Sequence, residues 1–131
     1  MSWWNCVVTA EDCFRASKQL KNGRSVGPDE LQAEHLRSAT DEFFVYAAAL
    51  CTGILKHDCV PDKLRETLIV PIVKDQAGNR NDVDNYRGIA ISSTLKKMIE
   101  KIVANKFQRL WRTSNQQFGF KAAHGCDMQS I

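Results

Sequence analysis

The chain has 131 residues, with 18 Lys and Arg against 15 Asp and Glu, and is 44% hydrophobic and 25% charged. This is an ordinary globular composition for one domain, neither disordered nor collagen-like, and a chain of this length can bury roughly two-thirds of its unfolded surface. The longest apolar run, residues 43–51, has nine residues against the about 20 that a membrane-spanning helix needs, and the first residues carry neither the basic start nor the apolar stretch of a secretory signal.

Five cysteines (Cys6, Cys13, Cys51, Cys59 and Cys126) include no Cys-x-x-Cys. Their spacing suits neither a zinc knuckle nor a zinc ribbon, so the expectation is reduced, mostly buried thiols in an intracellular protein and no metal site. The net charge of +3 is unevenly spread: residues 1–62 carry 6 basic and 9 acidic side chains, and residues 63–131 carry 12 and 6. Between residues 86 and 121, eight cations (Arg87, Lys96, Lys97, Lys101, Lys106, Arg109, Arg112, Lys121) face the single acid Glu100. Such a stripe fits a polyanion-facing surface, and equally the solvated outer face of a helix.

In chain order, Thr9 followed by Glu11 and Asp12 predicts a capped helix that Asn22-Gly23 stops. Gly27-Pro28-Asp29 predicts a break and a restart, with Pro28 in the first helical turn and Leu31, Glu34, His35 and Ser38 on one face. Thr40-Asp41-Glu42 opens a third helix with Phe43, Phe44, Ala47, Leu50, Cys51, Ile54 and Leu55 at helical spacing, closed by Val60-Pro61. The β-branched run 67–73 predicts a strand whose Pro71 needs an edge or a bulge, and residues 86–91 predict a second. Residues 74–85 between them are polar, with Gly78 and Asn79, and suit a mobile hairpin tip. Ser92-Ser93-Thr94 caps a long helix, 94–112, with Leu95, Met98, Ile99, Ile102, Val103, Phe107 and Leu110 on one face. Residues 113–131 read as loop around Gly119 and Gly125. The expected fold class is α+β, mostly helical with one long antiparallel β-hairpin, divided as 1–62 helical, 63–112 hairpin and basic helix, and 113–131 beyond.

The order of four motifs is specific where each alone is weak: Gly27-Pro28-Asp29-Glu30-Leu31, then Leu68-Ile69-Val70-Pro71-Ile72-Val73-Lys74, then Asn85-Tyr86-Arg87-Gly88-Ile89-Ala90-Ile91 leading into Leu95-Lys96-Lys97 and Glu100-Lys101-Ile102, and last Gln117-Phe118-Gly119-Phe120-Lys121 with Asp127 six residues on. Over residues 14–131 this closely resembles the amino-terminal part of the reverse transcriptase domain of non-LTR (LINE-type) retrotransposons. The resemblance implies the fingers of a right-hand polymerase and an incomplete palm, with a hairpin that folds over the incoming deoxynucleoside triphosphate.

On that resemblance Lys74 and Arg87 are the nucleotide-binding candidates. Both flank the connection, and a lysine point charge and an arginine fork suit phosphate oxygens. Gln117, Phe118, Gly119, Phe120 and Lys121 resemble the loop lining the template path, where aromatic faces stack on bases; Phe118 and Phe120 equally suit core anchors. Lys96, Lys97, Lys101 and Arg109 are the stripe's nucleic-acid contacts. His124-Gly125-Cys126 departs from the family's basic-Ser-Thr.

Asp82 and Asp84 mimic a metal-binding pair, but their place in a polar loop predicts turn formation. His35, His57 and His124 are expected to be structural or exposed. In the family the catalytic aspartates lie downstream, on palm strands that hold two metals, and no aromatic-x-Asp-Asp occurs here. The expectation is therefore a polymerase fragment, inactive alone, with no catalytic residue and no cofactor in this chain. An RNA template, a DNA primer, deoxynucleotides and Mg²⁺ belong to the full-length parent. The alternatives are a non-catalytic RNA- or DNA-binding module and a functionless retroelement remnant. Apolar faces of helices 40–56 and 94–112 are expected to lie partly open.

Overall fold

A computed structural model of the chain describes residues 6–110, excepting the side chain of Arg109. The predicted segment 113–131, with Gln117, Phe118, Gly119, Phe120, Lys121, His124 and Asp127, lies outside the described residues.

The first helix, α1 (Ala10–Lys18), starts where its side chains close a reciprocal cap. The Asp12 amide donates to Thr9 Oγ1 at 3.2 Å, and the Thr9 amide donates to Asp12 Oδ2 at 2.9 Å. Two otherwise orphaned donors are satisfied together.

The restart at Pro28 is a correction. Residues 27–31 form a turn, Glu30 sits at φ 54°, and the short helix α2 (Ala33–Arg37) begins five residues after Pro28. Its entry is organised by His35, whose Nδ1 accepts from the Gln32 amide at 3.2 Å. The segment is held out of the helix by a tertiary contact invisible to local pattern. Gly27 lies against the end of the second strand so closely that a Cβ would stand 2.7 Å from the Ser92 carbonyl carbon and 2.8 Å from Ser93 Cα.

Helix α3 (Asp41–His57) carries Asp41 and Glu42 in its first turn and Lys56 and His57 in its last, matching the helix dipole at both ends. It buries Phe44, Ala47, Ala48 and Cys51. Leu50, placed on the inner face by spacing, is 37% exposed, beside Val45 and Tyr46 on the outer side. A one-turn helix, α4 (Asp62–Arg65), follows Pro61 and buries Leu64.

Strands β1 (Thr67–Val73) and β2 (Tyr86–Ser92) pair antiparallel in continuous register, Thr67 with Ser92 through Val73 with Tyr86. The Lys74 amide donates to the Asn85 carbonyl at 2.7 Å, which makes 74–85 a hydrogen-bonded pair. By alternation 72–87 and 70–89 are hydrogen-bonded pairs too, and Pro71 opposite Gly88 is not. The Pro71 nitrogen therefore faces away from β2, where a missing N–H breaks no ladder bond, and no bulge is needed.

Helix α5 (Thr94–Phe107) starts at Ser93, whose Oγ accepts from the Lys96 amide at 3.1 Å. It runs into a 3₁₀ turn, Gln108–Leu110, so the regular helix is shorter than spacing predicts.

Helix α1 is the hub, packing on α2, α3 and α5. The core joins Cys13, Ala16, Leu36, Phe44, Cys51, Met98 and Ile102, residues from both sides of position 62. Phe14 and Phe44 meet edge to face at 5.6 Å. The Cys13 and Cys51 thiols lie together between α1 and α3, and their mutual hydrogen bond with burial pushes the Cys51 thiol up. Cys6 is also buried and Cys59 is exposed. The expected open apolar faces occur on α3 and also on the hairpin, where Leu68, Ile69, Val70, Ile72 and Ile89 are exposed. On α5, Met98, Ile102 and Phe107 are covered. No described helix is long and apolar enough to cross a membrane.

Candidate functional site

The tip of the hairpin is built by its own side chains. Three Asx turns shape residues 74–85: Asp75 Oδ1 accepts from the Ala77 amide, Asn79 Oδ1 from the Asn81 amide and Asp82 Oδ1 from the Asp84 amide, at 2.9, 2.9 and 3.0 Å. Asn85 ties this loop to the strands. Its Oδ1 accepts from the Asp75 amide at 3.0 Å, and its Nδ2 donates to the Asp75 and Asn79 carbonyls. A Cβ on Gly78 would lie 2.9 Å from that Nδ2, so a larger residue there would press on the Asn85 amide that ties the loop together. Tyr86 donates its hydroxyl to the Arg80 carbonyl at 2.9 Å. Where composition suggests a mobile tip, the structure has a knitted one.

Asn-Tyr-Arg thus divides in role. Asn85 and Tyr86 are spent on the loop, and the Arg87 side chain makes no ion pair or hydrogen bond among the described residues. Lys74 Nζ donates to the Asp84 carbonyl at 2.7 Å, leaving two further donors on the ammonium. The register puts Lys74 opposite Asn85 and Arg87 opposite Ile72, so the two cations are diagonal neighbours on one face, roughly 7–8 Å apart by sheet geometry. Both are exposed.

Below this face, between hairpin and helices, lies a cleft of about 800 Å³. Val70, Ile72, Ile89, Ile91, Leu20, Ala33 and Ala104 make an apolar floor, and Lys21, Arg24, Lys97 and Lys101 line it with charge. None of these four cations has an ion-pair partner among the described residues. Glu100, also in the wall, lies 4.0 Å from Lys96.

The structure therefore splits the predicted stripe. Lys97 and Lys101, one turn apart, share the cleft, and Lys96 is paired with Glu100. Lys106 is taken up by Asp12 at 2.8 Å, and the Arg109 side chain is outside the described part. Lys21 and Arg24 are site residues that sequence reasoning missed. They lie in the acidic half of the chain, and only their lack of nearby acids, on either side of the Asn22-Gly23 stop, could have flagged them.

No protein-family model matches the chain. It is 28% identical over 126 residues to the RNA-directed DNA polymerase from mobile element jockey of Drosophila funebris, covering 93% of this chain and 14% of that protein. It is 25% identical over 121 residues to the probable RNA-directed DNA polymerase from transposon BS of Drosophila melanogaster, covering 89% and 13%. The jockey polymerase of Drosophila melanogaster matches at 24% over 127 residues, covering 94% and 14%. This chain is a homologue of non-LTR retrotransposon RNA-directed DNA polymerases.

It spans 13–14% of the length of these relatives. Polymerase chemistry uses paired carboxylates on divalent metal, and the described residues do not fit that need. No group of three or more His, Cys, Asp or Glu among them is placed to hold a metal ion. Asp82 is occupied in its turn, and the Asp84 carbonyl holds Lys74.

Proposed function

We propose that this chain forms the fingers of a retrotransposon RNA-directed DNA polymerase. Its hairpin presents Lys74 and Arg87 to the triphosphate of an incoming deoxynucleotide. Its cleft and its Gln117, Phe118, Gly119, Phe120 and Lys121 segment follow the RNA template. The observation that carries this reading is the diagonal placement of Lys74 and Arg87 on one exposed face at one end of the hairpin. An arginine fork and an ammonium at that spacing can hold oxygens of neighbouring phosphates, each charge-assisted contact contributing about 1.5–3 kcal/mol.

The four cleft cations above an apolar floor support a strand-binding role, because a backbone needs charge at the rim and bases need apolar area beneath. The sequence contains no paired Asp-Asp, so the chain by itself is read as contributing contacts and not the transfer step.

Titrating dTTP into the 131-residue chain while following NMR amide shifts tests the nucleotide role. Shifts should centre on residues 73–75 and 85–89, and Arg87→Ala should weaken binding about tenfold or more. Shifts elsewhere, or a midpoint unmoved by R87A, would overturn it. The chain alone, given primer, template and Mg²⁺, is expected to incorporate nothing above blank.

A further inference from the structure

The hairpin packs extensively only on itself, whereas the helices pack on one another through α1. A two-stranded ribbon is marginal in water without support, so the direction in which this arm projects is decided at its feet. At the β2 foot the chain passes from Ser92 through the buried Ser93 and Thr94 directly into α5.

Residues 27–31 close around that junction from a distant part of the chain. Gly27 seats on the Ser92–Ser93 backbone, where no Cβ fits. Thr94 Oγ1 donates to the Leu31 carbonyl at 2.6 Å. Asp29 spans both segments: Oδ2 accepts from the Leu95 amide at 3.2 Å, and Oδ1 accepts from the Leu31 amide at 3.4 Å. The carboxylate meets a helix start, where exposed amides and the dipole favour negative charge. The turn is tightened by the Glu30 amide donating to the Gly27 carbonyl at 3.0 Å, with Glu30 in the left-handed region. None of these residues lies at the nucleotide face, and the contacts account for why Gly27 and Asp29 occur at this spacing.

We propose that residues 27–31 are a clamp fixing the hairpin's angle on the helical body, with Asp29 as its positioning residue. The consequence for nucleotide rests on the reading of Lys74 and Arg87 above: a hairpin free to swing holds its two cations at no fixed distance from the cleft.

Hydrogen exchange on the 131-residue chain tests the clamp without any ligand. In Asp29→Ala, the ladder amides of Val70, Ile72, Arg87 and Ile89 should exchange about tenfold faster or more, the equivalent of one charge-assisted hydrogen bond. Amides within α1 and α3 should stay within about twofold of wild type, because sub-global opening leaves the core closed. Asp29→Asn keeps one acceptor oxygen and should fall between. Unchanged hairpin amides, or an equal acceleration throughout the chain, would overturn the clamp. Should D29A fail to fold, Thr94→Val removes only the bond to Leu31, and the same selective pattern or its absence decides.

A dTTP titration of the same proteins separates the two ideas. A D29A midpoint weakened at a temperature where the core is intact, and partly restored in D29N, joins clamp to nucleotide binding. Selective exchange with no dTTP response even in wild type leaves the clamp standing and removes the nucleotide reading. Wild-type dTTP binding with unaltered D29A exchange does the reverse.

Discussion

Asp12 shows how one carboxylate serves two structures. It closes the cap of α1 through Thr9 and reaches Lys106 of α5, tying the hub helix to the basic one. Partial burial acts to raise its pKa, but the Lys106 ammonium and the Thr9 amide and hydroxyl outweigh that, and the carboxyl sits below its ordinary 3.8. A group lowered on folding stabilises the chain above its unfolded value, and that contribution disappears as pH falls through the folded value. Asp12→Asn should therefore cost about 1–2 kcal/mol in urea unfolding at pH 7. The difference from wild type should narrow as the pH drops below 3.8. An equal difference at pH 3 and pH 7 would show that charge is not what Asp12 contributes.

At the level of elements, α3 contains a deliberate-looking weakness. Gly53 lies inside the helix, and a Cβ there would meet nothing within 4 Å. Gly costs a helix interior about 1 kcal/mol relative to Ala, so Gly53→Ala should raise the thermal midpoint by a few degrees. A lowered midpoint would mean that the helix is not regular there. The elements legible in the sequence are those decided locally. Runs 67–73 and 86–91 read as strands because their β-branched residues need no distant partner to declare themselves, and Thr9 and Ser93 announce caps by side-chain chemistry. Pro28 misled because its helix-starting habit was overridden by Gly27 docking on Ser92, a contact 65 residues away along the chain. The one-turn α4 carries too little periodicity to be read at all. Within the site, Lys74 and Arg87 were legible because a hairpin brings its flanks together whatever else happens. Lys21 and Arg24 were not, since only the packing of α1 on α5 carries the segment after α1 to the cleft.

Over the whole molecule, charge is sorted by folding. Lys106, Lys96, Arg15, Lys63 and Arg65 are used in ion pairs, and among the described cations without such partners, Lys21, Arg24, Lys97 and Lys101 share one cleft. If single-stranded RNA lies there, log K against log salt should be linear. Replacing Lys21, Arg24, Lys97 and Lys101 by Ala should flatten the slope by up to about 3, at about 0.7 per phosphate contact. Lys96→Ala should leave it almost unaltered. A slope that survives the four replacements would move the RNA contact elsewhere.

The outward-facing nitrogen of Pro71 gives the hairpin two unlike margins. Along β1 the row of free donors is interrupted at mid-strand, so an incoming strand could not zip up along that side. Along β2 no proline interrupts the middle of the row, at Gly88 and Ala90, although the Tyr86 amide donates to the Val83 carbonyl at one end and Gly27 seats on Ser92 at the other. Any enlargement of this two-stranded ribbon, whether by more of the same polypeptide or by unwanted self-assembly, is thereby steered to the β2 flank.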